Sequence, residues 1–262
     1  MSPLAYIDTH CHIDDVLQRL KIDSYNELRQ RFFPPEFVAC ISISCDPEAI
    51  SPTLALMEEE SVYGAFGIHP HEAKNYTSEI ESRIAAALCH PKCVAYGEIG
   101  LDYHYDSSPR EIQLEVFKRQ IAIGIAAKKP LIIHTREAED DTLAVLREHS
   151  PSDWPMHVHC FTSSRELAGN LLKHFSNLYI GFTGIVTFKN SDDVRSVADQ
   201  VPLERMLVET DAPYLAPVPY RGQTAHPGQI PRILEKLAEI KRRPIVDVAP
   251  ILLENACRLY GI

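Results

Sequence analysis

Tyr6-Ile7-Asp8-Thr9-His10-Cys11-His12 stands almost at the start of the chain. Apolar Tyr6 and Ile7, with Asp8, lead into it as a strand leaving a core would. Side chains alternate faces along an extended strand, so His10 and His12 point the same way. Two imidazoles on one side of a strand end can grip one metal ion. A His-x-His pair is also compatible with two ordinary surface or core histidines, so its meaning depends on what surrounds it.

Outward from this stretch, short apolar runs recur along all 262 residues. They cover 5–8, 37–44, 62–68, 93–99, 130–134, 156–159, 178–183 and 205–209. Loops follow them, and usually segments of helical period, such as 110–128, 138–149, 227–241 and 246–260. The runs are apolar on both faces and rich in Val and Ile, which suits strands buried beneath helices. Eight such units over about 250 residues predict a single-domain α/β TIM (β/α)8 barrel occupying 1–262. An open doubly wound sheet is the structural rival, but it would more usually carry a glycine-rich turn after the first strand. Here that turn carries histidines. The proline-rich stretch from Pro213 to Gly222 reads as a loop after the last strand, not as a domain boundary.

The ionisable residues gather at one end of these strands. His10 and His12 follow the first, and His69 and His71 the third. Glu98 lies in the fourth, His134 ends the fifth with Arg136 beyond it, His159 ends the sixth, and Glu209 and Asp211 follow the eighth. All C-terminal strand ends of a barrel surround one mouth, so these residues would converge. Each alone has a plainer explanation. His134 can be a hydrogen-bonded core residue, Glu98 or Asp211 a helix cap, and His69 before Pro70 a turn former. Six such coincidences on one rim are harder to accept than one metal site.

The donors then sort by chemistry. His10 and His12 would hold one divalent ion, His134 and His159 a second, with Glu98 bridging the two. Paired ions about 3.5–4 Å apart activate water and clamp a phosphate or acyl oxygen. Asp211 is placed to bind one ion and to accept a proton from the attacking water, so Glu98 and Asp211 are the candidate catalytic carboxylates. The imidazole-rich set suits Zn or Mn better than an all-oxygen Mg cage, although Mg stays open. His69, His71, Arg136, Lys189 and Arg221 are candidate contacts for an anionic substrate. Glu209 shares a face with Asp211 and would contact substrate or support a ligand.

Composition narrows the setting. The chain is 45% hydrophobic and 24% charged, as ordinary globular proteins are. A net charge of −10 disfavours general electrostatic adhesion to nucleic acid. No basic stretch followed by an apolar run marks a signal peptide, and no window reaches the length of a membrane span. Seven scattered cysteines without a CxxC pair indicate neither a zinc ribbon nor a redox motif, and fit the cytoplasm.

These motifs together resemble the TatD family of metal-dependent deoxyribonucleases, within the amidohydrolase superfamily. Asp8-Thr9-His10-Cys11-His12, Gly67-Ile68-His69-Pro70-His71 and Gly97-Glu98-Ile99-Gly100-Leu101-Asp102 carry the likeness through the first half. Ile133-His134-Thr135-Arg136, His159-Cys160-Phe161-Thr162, Thr183 to Asn190, and Glu209-Thr210-Asp211-Ala212-Pro213-Tyr214-Leu215 continue it in order. Asn255-Ala256-Cys257-Arg258-Leu259-Tyr260 looks like the family's final helix. The resemblance implies a TIM barrel with two metal ions on His10, His12, Glu98, His134, His159 and Asp211. It implies hydrolysis of DNA phosphodiesters, often from a single-stranded or 3′ end. Some members are linked to deacylation of aminoacyl-tRNA. Hydrolysis of a small amide or ester, and a silent metal-binding barrel, are the competing readings. Ser163 stands where the family usually has Gly, His104 where an aromatic is commoner, and Ala225-His226 where Asn is more usual before Pro227. These departures bear on substrate preference and remove no ligand.

Overall fold

The computed structural model describes Ser2 and residues 4–262. One parallel sheet runs in chain order through β1 (Tyr6–Cys11), β2 (Phe37–Ser44), β3 (Val62–Phe66), β4 (Cys93–Asp102), β5 (Leu131–Arg136), β6 (Met156–Val158), β7 (Leu178–Phe182) and β8 (Met206–Val208). The helices outside it are α1 (Ile13–Leu20), α2 (Tyr25–Phe32), α3 (Ile50–Leu56), α4 (Ser78–Ala87), α5 (Arg110–Ala126), α6 (Glu139–His149), α7 (Arg165–His174), α8 (Asp192–Gln200), α9 (Ile230–Lys241) and α10 (Ile245–Tyr260). This is the eight-stranded α/β barrel that the strand–helix alternation predicts. The strands match the apolar runs except at their ends. β1 continues to Cys11, β4 to Asp102 and β5 to Arg136, because backbone pairing (Cys11 opposite Ser42, Asp102 opposite Arg136) outlasts the apolar side chains. Among the described residues, no helix is long and apolar enough to cross a membrane.

Two apolar layers hold the barrel. The outer one packs helices on strands, with Val16, Leu28, Phe117, Leu146 and Leu237 buried against Tyr96, Leu131 and Met206. The inner one joins Ile7, Ile41, Ala65, Ile132 and Leu207 to Leu259 and Tyr260 of α10, so the last helix plugs the end where the strands begin. Each fully buried side chain of this size contributes about 1.5–3 kcal/mol.

The ring closes where chain start meets chain end. Asp211 N–H donates to the His10 carbonyl (2.9 Å), and His12 N–H to the Ala212 carbonyl (2.7 Å). Beneath them the fully buried Asp8 carboxylate accepts from Thr210 N–H (3.0 Å) and from its hydroxyl (2.6 Å). Register slips by one residue at four places in the sheet, and two of these slips bear on the site. β1 has one more residue than β2 between Asp8 and Cys11, and β4 one more than β5 between Tyr96 and Ile99. Bulges re-aim side chains, and these two contain His10 and Glu98.

Candidate metal centre

Glu98 is the hinge of the site. Its Oε2 lies 3.3 Å from His10 Nε2. Its Oε1 lies 2.8 Å from His134 Nδ1, 2.7 Å from His159 Nε2 and 3.4 Å from His69 Nε2. On the first side, Asp211 Oδ1 sits 3.7 Å from His10 Nε2 and 3.6 Å from His12 Nε2. Donor atoms of His10, His12 and Asp211 fall within 4.8 Å of one another, as do those of His69, Glu98 and His134. The six predicted ligands therefore come together in two groups that share one carboxylate.

Neighbouring atoms set the direction of several candidate donors. His12 Nδ1–H donates to the Ile43 carbonyl (3.1 Å), which turns Nε2 to the site. His69 Nδ1 accepts from the His71 N–H (3.1 Å), so this histidine shapes the turn and still presents Nε2 to Glu98. His134 Nε2 faces Asp102 Oδ2 at 3.2 Å, and the same oxygen lies 2.9 Å from His71 Nε2. The other Asp102 oxygen accepts from the backbone of His104 (2.9 Å) and Tyr105 (3.1 Å). Asp211 reaches its place with φ of 55°, a left-handed conformation that Asp tolerates better than most residues.

Electrostatics in this buried cluster keep the carboxylates ionised but divide the imidazoles: His10 and His69 are lowered, whereas His12, His134 and His159 are raised, because the carboxylates and Cys45 beside them outweigh burial. Burial alone would raise the Glu98 carboxyl, but His159, His69, His10 and His134 hold it well below the usual carboxylate range. Asp102 is likewise pushed up by desolvation, yet His134 and His71 bring it well below its ordinary value. Burial and the nearby His159 push the His10 imidazole down to about 4. Burial, then His134, also lowers His69. His134 runs the other way: desolvation opposes its charge, but Asp102 and Glu98 on its two sides raise it to about 9.

Metal ions fit this set. His10 Nε2 is fully buried without a hydrogen-bond partner, although two carboxylates lie beside it. At His134, Nε2–H is committed to Asp102, so a neutral ring aims the Nδ1 lone pair at a carboxylate oxygen 2.8 Å away. Only a proton or a cation relieves that opposition, and a divalent ion replaces the proton.

The remaining predicted residues are spread by the fold. A cavity of about 700 Å³ opens over the cluster, lined by His12, His69, His71, Glu98, His134, Arg136, His159 and Asp211. His10 and Glu209 have no exposed surface and lie under its floor. Glu209 Oε1 accepts from the Cys160 N–H, and Oε2 lies 2.9 Å from His157 Nε2, out of line for a hydrogen bond. His157 Nδ1 meets the Tyr260 hydroxyl at 2.7 Å, linking the end of α10 to the centre. Lys189 and Arg221 are not brought to this cavity. They line a separate one of about 400 Å³ with Phe188, whose ring the Arg221 guanidinium covers at 3.7 Å. Ser163, His104 and Ala225 line neither.

Sequence reasoning missed Asp102, Cys45 and the exposed rim aromatics Tyr105 and Tyr214, which all border the main cavity. Asp102 ends the same strand as Glu98, but what it does depends on His134 and His71, which other parts of the chain supply.

Residues 7–261 match the family model described as TatD related DNase. The 3'-5' RNA nuclease TATDN2 of Homo sapiens is 41% identical over 98% of this chain, which spans 35% of that protein's length. Uncharacterized metal-dependent hydrolases of Bacillus subtilis (strain 168) and Escherichia coli (strain K12) are 36% and 37% identical, covering 97% and 98% of this chain and 98% and 96% of theirs. A crystal structure of a TatD homologue from Escherichia coli K12 has a TM-score of 0.85 at 28% identity over 99% of both chains.

Proposed function

The chain belongs to the TatD related DNase family and is a metal-dependent hydrolase, and on that premise we propose that it releases nucleotides from the 3′ end of single-stranded DNA, using two divalent ions. The observation that carries this reading is Glu98, whose two oxygens face two separate groups of donors beneath one open cavity. Bound Zn, Mn or Mg there would lower the pKa of an attacking water and neutralise charge developing on the phosphate. His10, His12 and Asp211 would hold one ion, and His134 and His159, with His69 alongside, would hold the other.

Each protein group then has a bounded task. Asp211, at the cavity wall, takes the proton of the attacking water. Asp102 keeps His134 turned towards Glu98. Arg136 and His71 face the cavity where a phosphate would sit. Tyr105 and Tyr214 are 58% and 45% exposed on the rim, with Arg136 and Arg19 stacked against them. Exposed aromatics paired with Arg suit unstacked bases, which favours a strand end over a duplex. Lys189 and Arg221 would meet the strand only farther out, beyond the mouth. Seven free cysteines accord with action in a reducing cytoplasm.

The test is release of labelled nucleotide from 5′- and 3′-labelled single strands with Mg, Mn or Zn, beside a chelator control and a panel of amides and esters. Metal-dependent shortening from the 3′ end, abolished by chelator and by Glu98→Ala, is the expected result. Turnover of an amide or ester with no nucleotide release would overturn it. RNA is a second reading, favoured by the 41% identity to a protein named as an RNA nuclease. A ribose version of the same oligonucleotide decides between them, since the two differ at the 2′-hydroxyl.

A further inference from the structure

β2 is flanked by strands that bring histidines to the cavity, and it contributes Cys45, the residue directly after its end. The Cys45 carbonyl accepts from the His69 N–H (2.8 Å), which pins this residue on the rim. Its sulfur, a nitrogen of His12 and an oxygen of Glu98 lie within 4.8 Å of one another, and Cys45 borders the main cavity. The thiols of Cys11, Cys89 and Cys93 are turned to the carbonyls of Ile41, Ala85 and Ala95, and that of Cys160 to the Thr183 hydroxyl. Cys45, like Cys40 and Cys257, has no such carbonyl or hydroxyl partner among the described residues, but of these three it is the one that borders the cavity and faces the donor cluster. Independently, the buried and unpartnered His10 Nε2 points at the same Glu98 carboxylate.

We propose that Cys45 is a sulfur ligand to the ion held by His12 and Glu98, so that this end of the centre selects a thiophilic metal. Coordination forms a sulfur–metal bond at the expense of the S–H bond, and the proton leaves to bulk water. Thiolate favours Zn or Co over Mg, whose preference is for oxygen. The inference rests on the metal-centre reading above and is independent of the substrate.

The experiment uses the full chain, stripped with chelator and titrated with Co(II) or Zn(II). Cobalt should produce a sulfur-to-metal charge-transfer band in the near ultraviolet, absent from Cys45→Ser and retained in Cys160→Ser. Zinc affinity should fall roughly 10–100-fold in Cys45→Ser, with manganese affinity changed much less. Zinc should also protect Cys45 in the unaltered chain from alkylation, read by mass spectrometry, so no variant needs to fold for the idea to be tested. Cobalt binding without the sulfur band, or a band that survives in Cys45→Ser, would refute the role of Cys45. Failure to bind cobalt at all would overturn the centre itself, whereas failure to release nucleotides would touch only the substrate reading.

Discussion

At Asp102 a single carboxylate holds two imidazoles and two backbone N–H groups. It does not reach the donor cluster itself; it decides which nitrogen of His134 does. Asp102→Asn keeps the shape but removes the charge and offers an N–H where a second acceptor is needed. Metal affinity should fall on the order of 10–100-fold, with far-ultraviolet circular dichroism unchanged, as measured by cobalt titration of the stripped protein. An unaltered affinity would reduce Asp102 to loop packing. The gathering of His10, His12, Glu98, His134, His159 and Asp211 was legible in the sequence because metal-binding side chains belong to few residue types and barrel topology places strand ends together. Asp102 and Cys45 were not, because their significance lies in a neighbour supplied by another strand.

Among the elements, β4 does the most to build the site. All ten of its residues are buried, and its register slips beside Glu98. Gly100 has φ of 149°, and a Cβ there would collide with the His134 carbonyl oxygen. Gly100→Ala should therefore move β5 and His134 with it, destabilising the fold by about 4 kcal/mol or more in urea titration. Gly222 provides the contrast: its φ is 84°, but no atom lies within 4 Å of its added Cβ. Gly222→Ala should cost only about 1–2 kcal/mol, the price of a left-handed backbone alone. Equal losses for the two variants would show that close packing under β4 is unimportant. Apolar pattern located β4 correctly but stopped it at 99, since a side-chain pattern cannot register the backbone pairing that carries on to Asp102.

For the whole molecule, stability depends on closing the barrel between the two ends of the chain. His226, just before α9, packs its ring against Phe32 at the end of α2 (4.8 Å) and against Phe33 (6.2 Å). Burial in this seam pushes its imidazole down from 6.5 to about 4. The unfolded chain thus takes up a proton here below about pH 6.5, whereas the folded chain does so only near pH 4. Folding stability contributed by the neutral ring is complete above the higher value and is lost as pH falls towards the lower one. The loss is about 3 kcal/mol at most. Urea midpoints between pH 7 and pH 4.5 should fall more steeply for the native chain than for His226→Gln. Parallel slopes would remove His226 from the account.

The sequence by itself determined the barrel, its strand order and the convergence of six candidate donors, because these follow from short-range periodicity and from one rule about where parallel strands end. Tertiary structure decided what each polar residue meets. It sent Glu209 beneath the floor, drew His69 into the donor cluster and set Lys189 and Arg221 in a cavity of their own. It also altered the basis of the opening pair: His10 falls where the register slips, and the backbones of His10 and His12 are held by Asp211 and Ala212 from the far end of the chain. Those partners are some two hundred residues away in sequence. No local pattern carries such a contact, because it exists only once the ring has closed.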